Sequence, residues 1–155
     1  MGSARAGQRG TVRRTPSSKT GWRGVPAADP DHHWAESRTV DKSIVLGFKS
    51  RYLQAEIPNS YVADYVGRFP QKLIGFAGID PADRGAVDEV RIAQADLHLR
   101  GLTVSPANQD FHPSDSRAMA VYAEAEKLGM PILFHPSGQF TEQSKLEFGR
   151  PYLLD

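Results

Sequence analysis

LIGFAGIDPADRGAVDEVRIAQADLHLRGLTVS, residues 73–105, decides the fold. Within this one stretch an apolar run gives way to a helical period and then to a second apolar run. The runs at 73–79 and 102–105 do not alternate polar with apolar residues, which is the pattern of strands covered on both faces in a parallel sheet. Between them Val87, Val90, Ala93 and Leu97 share one helical stripe, and Gly101 is placed to take a left-handed C-cap. Strand, helix and strand within one such stretch make a βαβ unit, and the roughly 30 residues from one strand start to the next are the length of a βα repeat.

The same beat extends in both directions. Apolar runs at 43–48 (SIVLGF) and 131–135 (PILFH) bring the total to four, with starts 30, 29 and 29 residues apart. NSYVADYVGRFP (59–70) sets Tyr61, Val62, Tyr65, Val66 and Phe69 on a stripe, with Asn59 as the N-cap and Pro70 as the stop. SDSRAMAVYAEAEKLGM (114–130) aligns Met119, Tyr122, Ala125 and Leu128 and closes on Gly129. DPDHHWAES (29–37) allows a short helix capped by Asp29, with Pro30 at its first position. The fold class is α/β, with parallel strands joined in chain order by right-handed crossovers.

Charge separates residues 1–28 from the rest. The first 28 residues carry six basic side chains and no acidic one, leaving 13 basic and 18 acidic residues in 29–155, a net of −5. The tail, poor in apolar side chains and rich in Gly, Ser and Arg, reads as disordered, and 29–155 as the folded domain. An acidic domain is a poor partner for nucleic acid. No apolar run approaches the roughly 20 residues that cross a membrane. There is no cysteine, so thiolate metal sites and disulfides are excluded and a cytoplasmic location is compatible. No glycine-rich phosphate loop follows any strand, which removes the nucleotide-binding reading.

Parallel strands deliver their carboxyl ends to one side, where α/β proteins place their active sites. Those ends carry Lys49, Ser50 and Arg51; Asp80; Ser105, Asn108 and Gln109; and His135, Ser137 and Gly138. His135 is either a core or loop histidine or a ligand or base at a strand exit. Arg51 is either a solvated rim arginine or a bidentate anchor for a carboxylate. Asp80, before Pro81, reads as a turn or capping residue rather than a base. His32 and His33 are adjacent on a helix, point apart, and read as surface residues.

DKSIVLGFKSRYLQAEIPNSYVADYVGRFPQKLIGFAGIDP (41–81), LRGLTVSPANQDFHPSD (99–115), AEAEKLGMPILFHPSG (123–138) and FGRPYLLD (148–155) together resemble the amidohydrolase-related family of aminocarboxymuconate-semialdehyde decarboxylase and its relatives. The resemblance implies a metal-dependent (β/α)8 TIM barrel of which this chain carries about strands 2–5. It implies that His135 is the fifth-strand ligand of a divalent metal, usually zinc, and that the substrate is a small carboxylated acid, for which Arg51, by its position just past the second strand, is the candidate anchor. The implied chemistry is hydrolysis or non-oxidative decarboxylation. No histidine-x-histidine pair occurs in this chain, and only one of the four family ligands is present. The expectation is therefore a fragment of the enzyme, inactive alone and holding no metal tightly, with homo-oligomerisation left open. The competing expectation is a complete, non-catalytic open α/β domain that binds a small molecule or a protein.

Overall fold

The computed structural model describes residues 30–136 and 141–154. The predicted disorder of 1–28, the Asp29 cap, and the strand-end positions Ser137 and Gly138 lie outside these residues. In chain order the elements are α1 (Pro30–Glu36), β1 (Ser43–Leu46), β2 (Phe48–Ser50), β3 (Ala55–Ile57), α2 (Asn59–Gly67) and β4 (Leu73–Gly78). They continue as α3 (Ala86–Ala95), β5 (Gly101–Val104), a single turn α4 (Pro106–Gln109), α5 (Ser116–Lys127) and β6 (Ile132–Phe134). Short 3-10 turns cover Leu146–Gly149 and Pro151–Leu154.

Four strands form one parallel sheet in the order β1-β4-β5-β6, with Ser43 opposite Leu73, Phe76 opposite Gly101, and Leu102 opposite Ile132. The order follows the chain without reversal, as successive right-handed βα units require. Ala77 and Ile79 point to one face of the sheet with Leu102 beside Ala77. All three belong to one core with Val62 of α2, Val90 and Ala93 of α3, and Val121 and Ala125 of α5. The long helices therefore share one face, and the sheet curls as half of a TIM barrel. Leu102, Val90 and Val121 are fully buried, each removing a side chain worth about 1.5–3 kcal/mol from water.

The tertiary structure corrects several local expectations. The run 43–48 is not one strand. After Leu46 the N–H of Gly47 donates to Phe76 O (2.8 Å), and the chain leaves the sheet to form an antiparallel hairpin of β2 and β3, with Lys49 opposite Glu56. Gly47 and Gly78 cross so closely that a Cβ on either would stand 2.4 Å from backbone of the other segment. Asn59 is the first helical residue rather than the cap, and its side chain serves Gly78 instead. Gly101 begins β5, under the ring of Phe76, while the left-handed turn before it falls on His98 (φ 55°). Gly129 does take the left-handed conformation predicted for it (φ 66°). On α5 the buried stripe is Ala118, Val121 and Ala125, and Met119 is 52% exposed, because small side chains let the helix approach β5 and α3 closely. Tyr61 likewise faces outward on α2.

The cap of α5 supplies a testable pH effect. Asp115 accepts a hydrogen bond from the N–H of Arg117 (2.9 Å), and the Arg117 side chain holds the Asp115 carboxyl below its ordinary range. Across the α3–α5 contact, Arg91 grips Glu124 through Nε (2.9 Å) and Nη2 (3.2 Å) and lowers its pKa in the same way. Carboxyls depressed in the folded state stabilise it above their unfolded pKa, near 4, and that contribution is lost as pH falls through the lower folded values. Asp115→Ala is expected to cost about 1 kcal/mol at neutral pH. The difference from wild type should shrink on acidification below about pH 4, as followed by urea denaturation.

Candidate functional site

Every strand-end residue named from the sequence and described in the structure lies at the carboxyl end of the sheet, but the groups meet in two sets, joined through the backbone of Lys49 and Arg51. The first is a buried network. Gln109, 2% exposed, donates Nε2 to Lys49 O (2.6 Å) and Ile79 O (2.7 Å) and accepts the N–H of Ser105 at Oε1 (2.6 Å). Ser50 Oγ donates to Asn108 O (2.6 Å), and Asn108 Nδ2 donates to Ser105 Oγ (2.9 Å). Ser105 Oγ in turn donates to His135 O (3.3 Å). Asp80 is fully buried and spends both carboxylate oxygens on backbone, accepting Arg51 N–H (2.7 Å) and Ala82 N–H (2.9 Å). It is the turn residue its sequence context indicates.

His135 continues β6 by donating its N–H to Val104 O (2.8 Å). Phe134 and Val104 pack on the helix side with Phe111 and Ala118, so strand alternation turns His135 to the concave face. The residue is partly exposed, yet Nδ1 is buried with no hydrogen-bond partner among the described residues. Thr103 Oγ1, on a neighbouring strand and the same face, is also buried and unpartnered among those residues.

Among the described residues no group of three or more His, Asp or Glu side chains could hold an ion. His32 and His33 are exposed on α1, His32 at 3.9 Å from Glu36 and His33 Nδ1 at 2.6 Å from Tyr65 Oη. His112 is exposed and bonds Ser114. None of them joins His135.

The second set is a charge cluster between the hairpin and α3. Lys49 Nζ lies 2.6 Å from Asp83 and 2.8 Å from Glu89. Burial alone would lower the Lys49 pKa, but the hydrogen bonds and charges of both carboxylates outweigh it and keep the ammonium ionised far above neutral pH. Arg51 turns its guanidinium to Asp83 (3.2 Å from Nε) and to Ala82 O (2.9 Å from Nη1), with its side chain 59% exposed. Asn59 Nδ2 ties Glu89 Oε1 (3.1 Å) to the network. Lys49, Arg51, Asp83 and Glu89 line an open groove of about 920 Å³ whose walls do not include His135. The roles of Asn59 and Glu89 leave no local signal in the sequence, because each contact spans 19 residues or more.

A family model described as amidohydrolase matches residues 45–154. No curated protein matches the chain by sequence. Among solved structures, a TIM-barrel protein from Bordetella bronchiseptica superposes with a TM-score of 0.64 at 20% identity, covering 80% of this chain and 44% of that one. The 2,6-dihydroxybenzoate decarboxylase from Rhizobium gives 0.56 at 22% identity, with coverage of 83% and 45%. The 5-carboxyvanillate decarboxylase of Novosphingobium aromaticivorans, solved with manganese and a nitrobenzoic acid, gives 0.60 at 18% identity, with coverage of 79% and 38%. The chain thus spans less than half the length of each.

Proposed function

Because the chain belongs to the amidohydrolase family, we propose that residues 29–155 form the second to fifth strand units of a barrel enzyme that uses a divalent metal to hydrolyse or non-oxidatively decarboxylate a small carboxylated substrate. The observation that carries this reading is His135, set on the concave face at a strand exit with Nδ1 buried and unpartnered among the described residues. A neutral imidazole suits one position in the shell of zinc, the metal we assign, or of manganese, the ion in the Novosphingobium enzyme. The described residues gather no group of three or more His, Asp or Glu side chains, and our reading expects this chain on its own to hold no metal tightly and to turn over no substrate. Arg51, at the mouth of the hairpin, is assigned to the substrate carboxylate, which would have to compete with Asp83 for the guanidinium. The net charge of −5 in residues 29–155 favours a small-molecule partner over nucleic acid, and we assign the enzyme to the cytoplasm.

Metal binding tests the assignment at two levels. A structural four-ligand zinc site is worth about 10–16 kcal/mol, and one imidazole about a quarter of that, which corresponds to millimolar binding. Zinc added to this chain should move the His135 imidazole resonances only at millimolar concentration and should be lost on dialysis. Stoichiometric retention against a weak chelator overturns the single-donor reading. In a barrel completed with the missing ligands, His135→Ala should abolish metal occupancy and turnover together while leaving the melting temperature within a few degrees. A variant with its full complement of metal refutes the ligand role.

A further inference from the structure

We infer that Gln109 is a positioning residue: one buried carboxamide fixes where the chain segments leaving β1, β4 and β5 lie relative to one another, and so sets the placement of Arg51 and His135. The inference takes from the proposed function that the strand-end rim is the working site. The Ile79 carbonyl lies just past the last paired residue of the β4–β5 ladder, and the Lys49 carbonyl belongs to the hairpin strand β2 that has already left the sheet, so each calls for a donor from elsewhere. Gln109 reaches both because α4 starts directly after β5, with the N–H groups of Asn108 and Gln109 both donating to Ser105 O (2.9 Å each). The chain then turns away at Asp110, whose φ is 54°. The side chain folds back under the strands, and its two N–H bonds and its oxygen are all used, on Lys49 O, Ile79 O and Ser105 N–H.

No other side chain repeats this set. Glutamate has no donor when ionised and would set its charge against two carbonyl oxygens, asparagine is one methylene short, and methionine keeps the shape with neither donor nor acceptor. Gln109 makes none of these hydrogen bonds with Arg51 or His135 and acts through the residues that hold them. Ile79 precedes Asp80, whose carboxylate receives the Arg51 N–H. Ser105, held at its N–H by Gln109, donates Oγ to His135 O.

The test is amide exchange and imidazole NMR on the full chain. Gln109→Met should raise exchange of the Arg51 N–H at least tenfold and shift the His135 imidazole resonances. Val90→Ala, which empties a fully buried position in the helix-side core, should leave both at wild-type values once global stability is matched. Gln109→Glu should lose Arg51 protection at neutral pH and regain part of it in acid, where the protonated carboxyl again offers one donor and one acceptor. If Val90→Ala reproduces the Arg51 and His135 changes, or Gln109→Met leaves them unmoved, the positioning role is overturned. Should both Gln109 variants fail to fold, the wild-type protein decides: the two side-chain amide protons of Gln109 must exchange slowly, and rapid exchange overturns the proposal. None of these readouts needs metal or turnover, so a failure to bind metal leaves this result standing and the reverse also holds.

Discussion

Gly47→Ala should destabilise the protein by about 3 kcal/mol, the upper end of what overpacking a tight site costs. The added Cβ would stand 2.4 Å from Gly78 N, 2.9 Å from Asn59 Oδ1 and 3.1 Å from Phe76 O. Two of these atoms are backbone, and all three take part in the hydrogen bonds that make the crossing: Gly47 N–H donates to Phe76 O, and Gly78 N–H donates to Asn59 Oδ1. The methyl group has nowhere to go unless β1 and β4 separate at the point where the hairpin departs. The readout is the urea midpoint, with Gly67→Ala as the control. Gly67 ends α2 with nothing within 4 Å of its would-be Cβ, so alanine there should be neutral or stabilise by up to about 1 kcal/mol. An unchanged midpoint for Gly47→Ala would show that the crossing is looser than its distances imply.

Asp80→Ala is expected to cost about 3 kcal/mol. The side chain is fully buried, and its loss strips the Arg51 and Ala82 N–H groups of their acceptors, at about 1–3 kcal/mol for each group left unpaired. Asp80→Asn keeps one oxygen but turns an amide donor toward a backbone donor, so about 2 kcal/mol should be lost. Both variants should raise hydrogen exchange at Arg51 and Ala82 while the core amides of β5 keep their ranking. A cost below about 0.5 kcal/mol for Asp80→Ala would mean that the two N–H groups find water, and that the hairpin is not held by this residue.

The elements and their order were legible because they depend on local patterns. Apolar runs without alternation identify buried parallel strands, and the helical stripes locate the covered faces. A near-constant spacing of about 30 residues leaves little choice but consecutive βα units, and parallel strands then bring their carboxyl ends, His135 and Arg51 among them, to one side. Helix phase was less secure. On α5 the larger Met119 looked like the core residue, whereas the available space selected Ala118 and Val121.

What the sequence determined by itself is therefore the set of residues at the carboxyl end of the sheet. What only the tertiary structure decided is which of them meet. Lys49, Ser50 and Arg51 are consecutive, yet Lys49 sends its ammonium to Asp83 and Glu89, Ser50 its hydroxyl to Asn108, and Arg51 its N–H to Asp80. Those partners lie 29 to 58 residues away, and no local periodicity encodes them. They follow from the close crossing of Gly47 and Gly78, which diverts the chain out of the sheet and brings the hairpin over the strand ends. A hydrogen bond needs its atoms placed to within a few tenths of an ångström, and in a folded chain only the packing of distant segments supplies that placement.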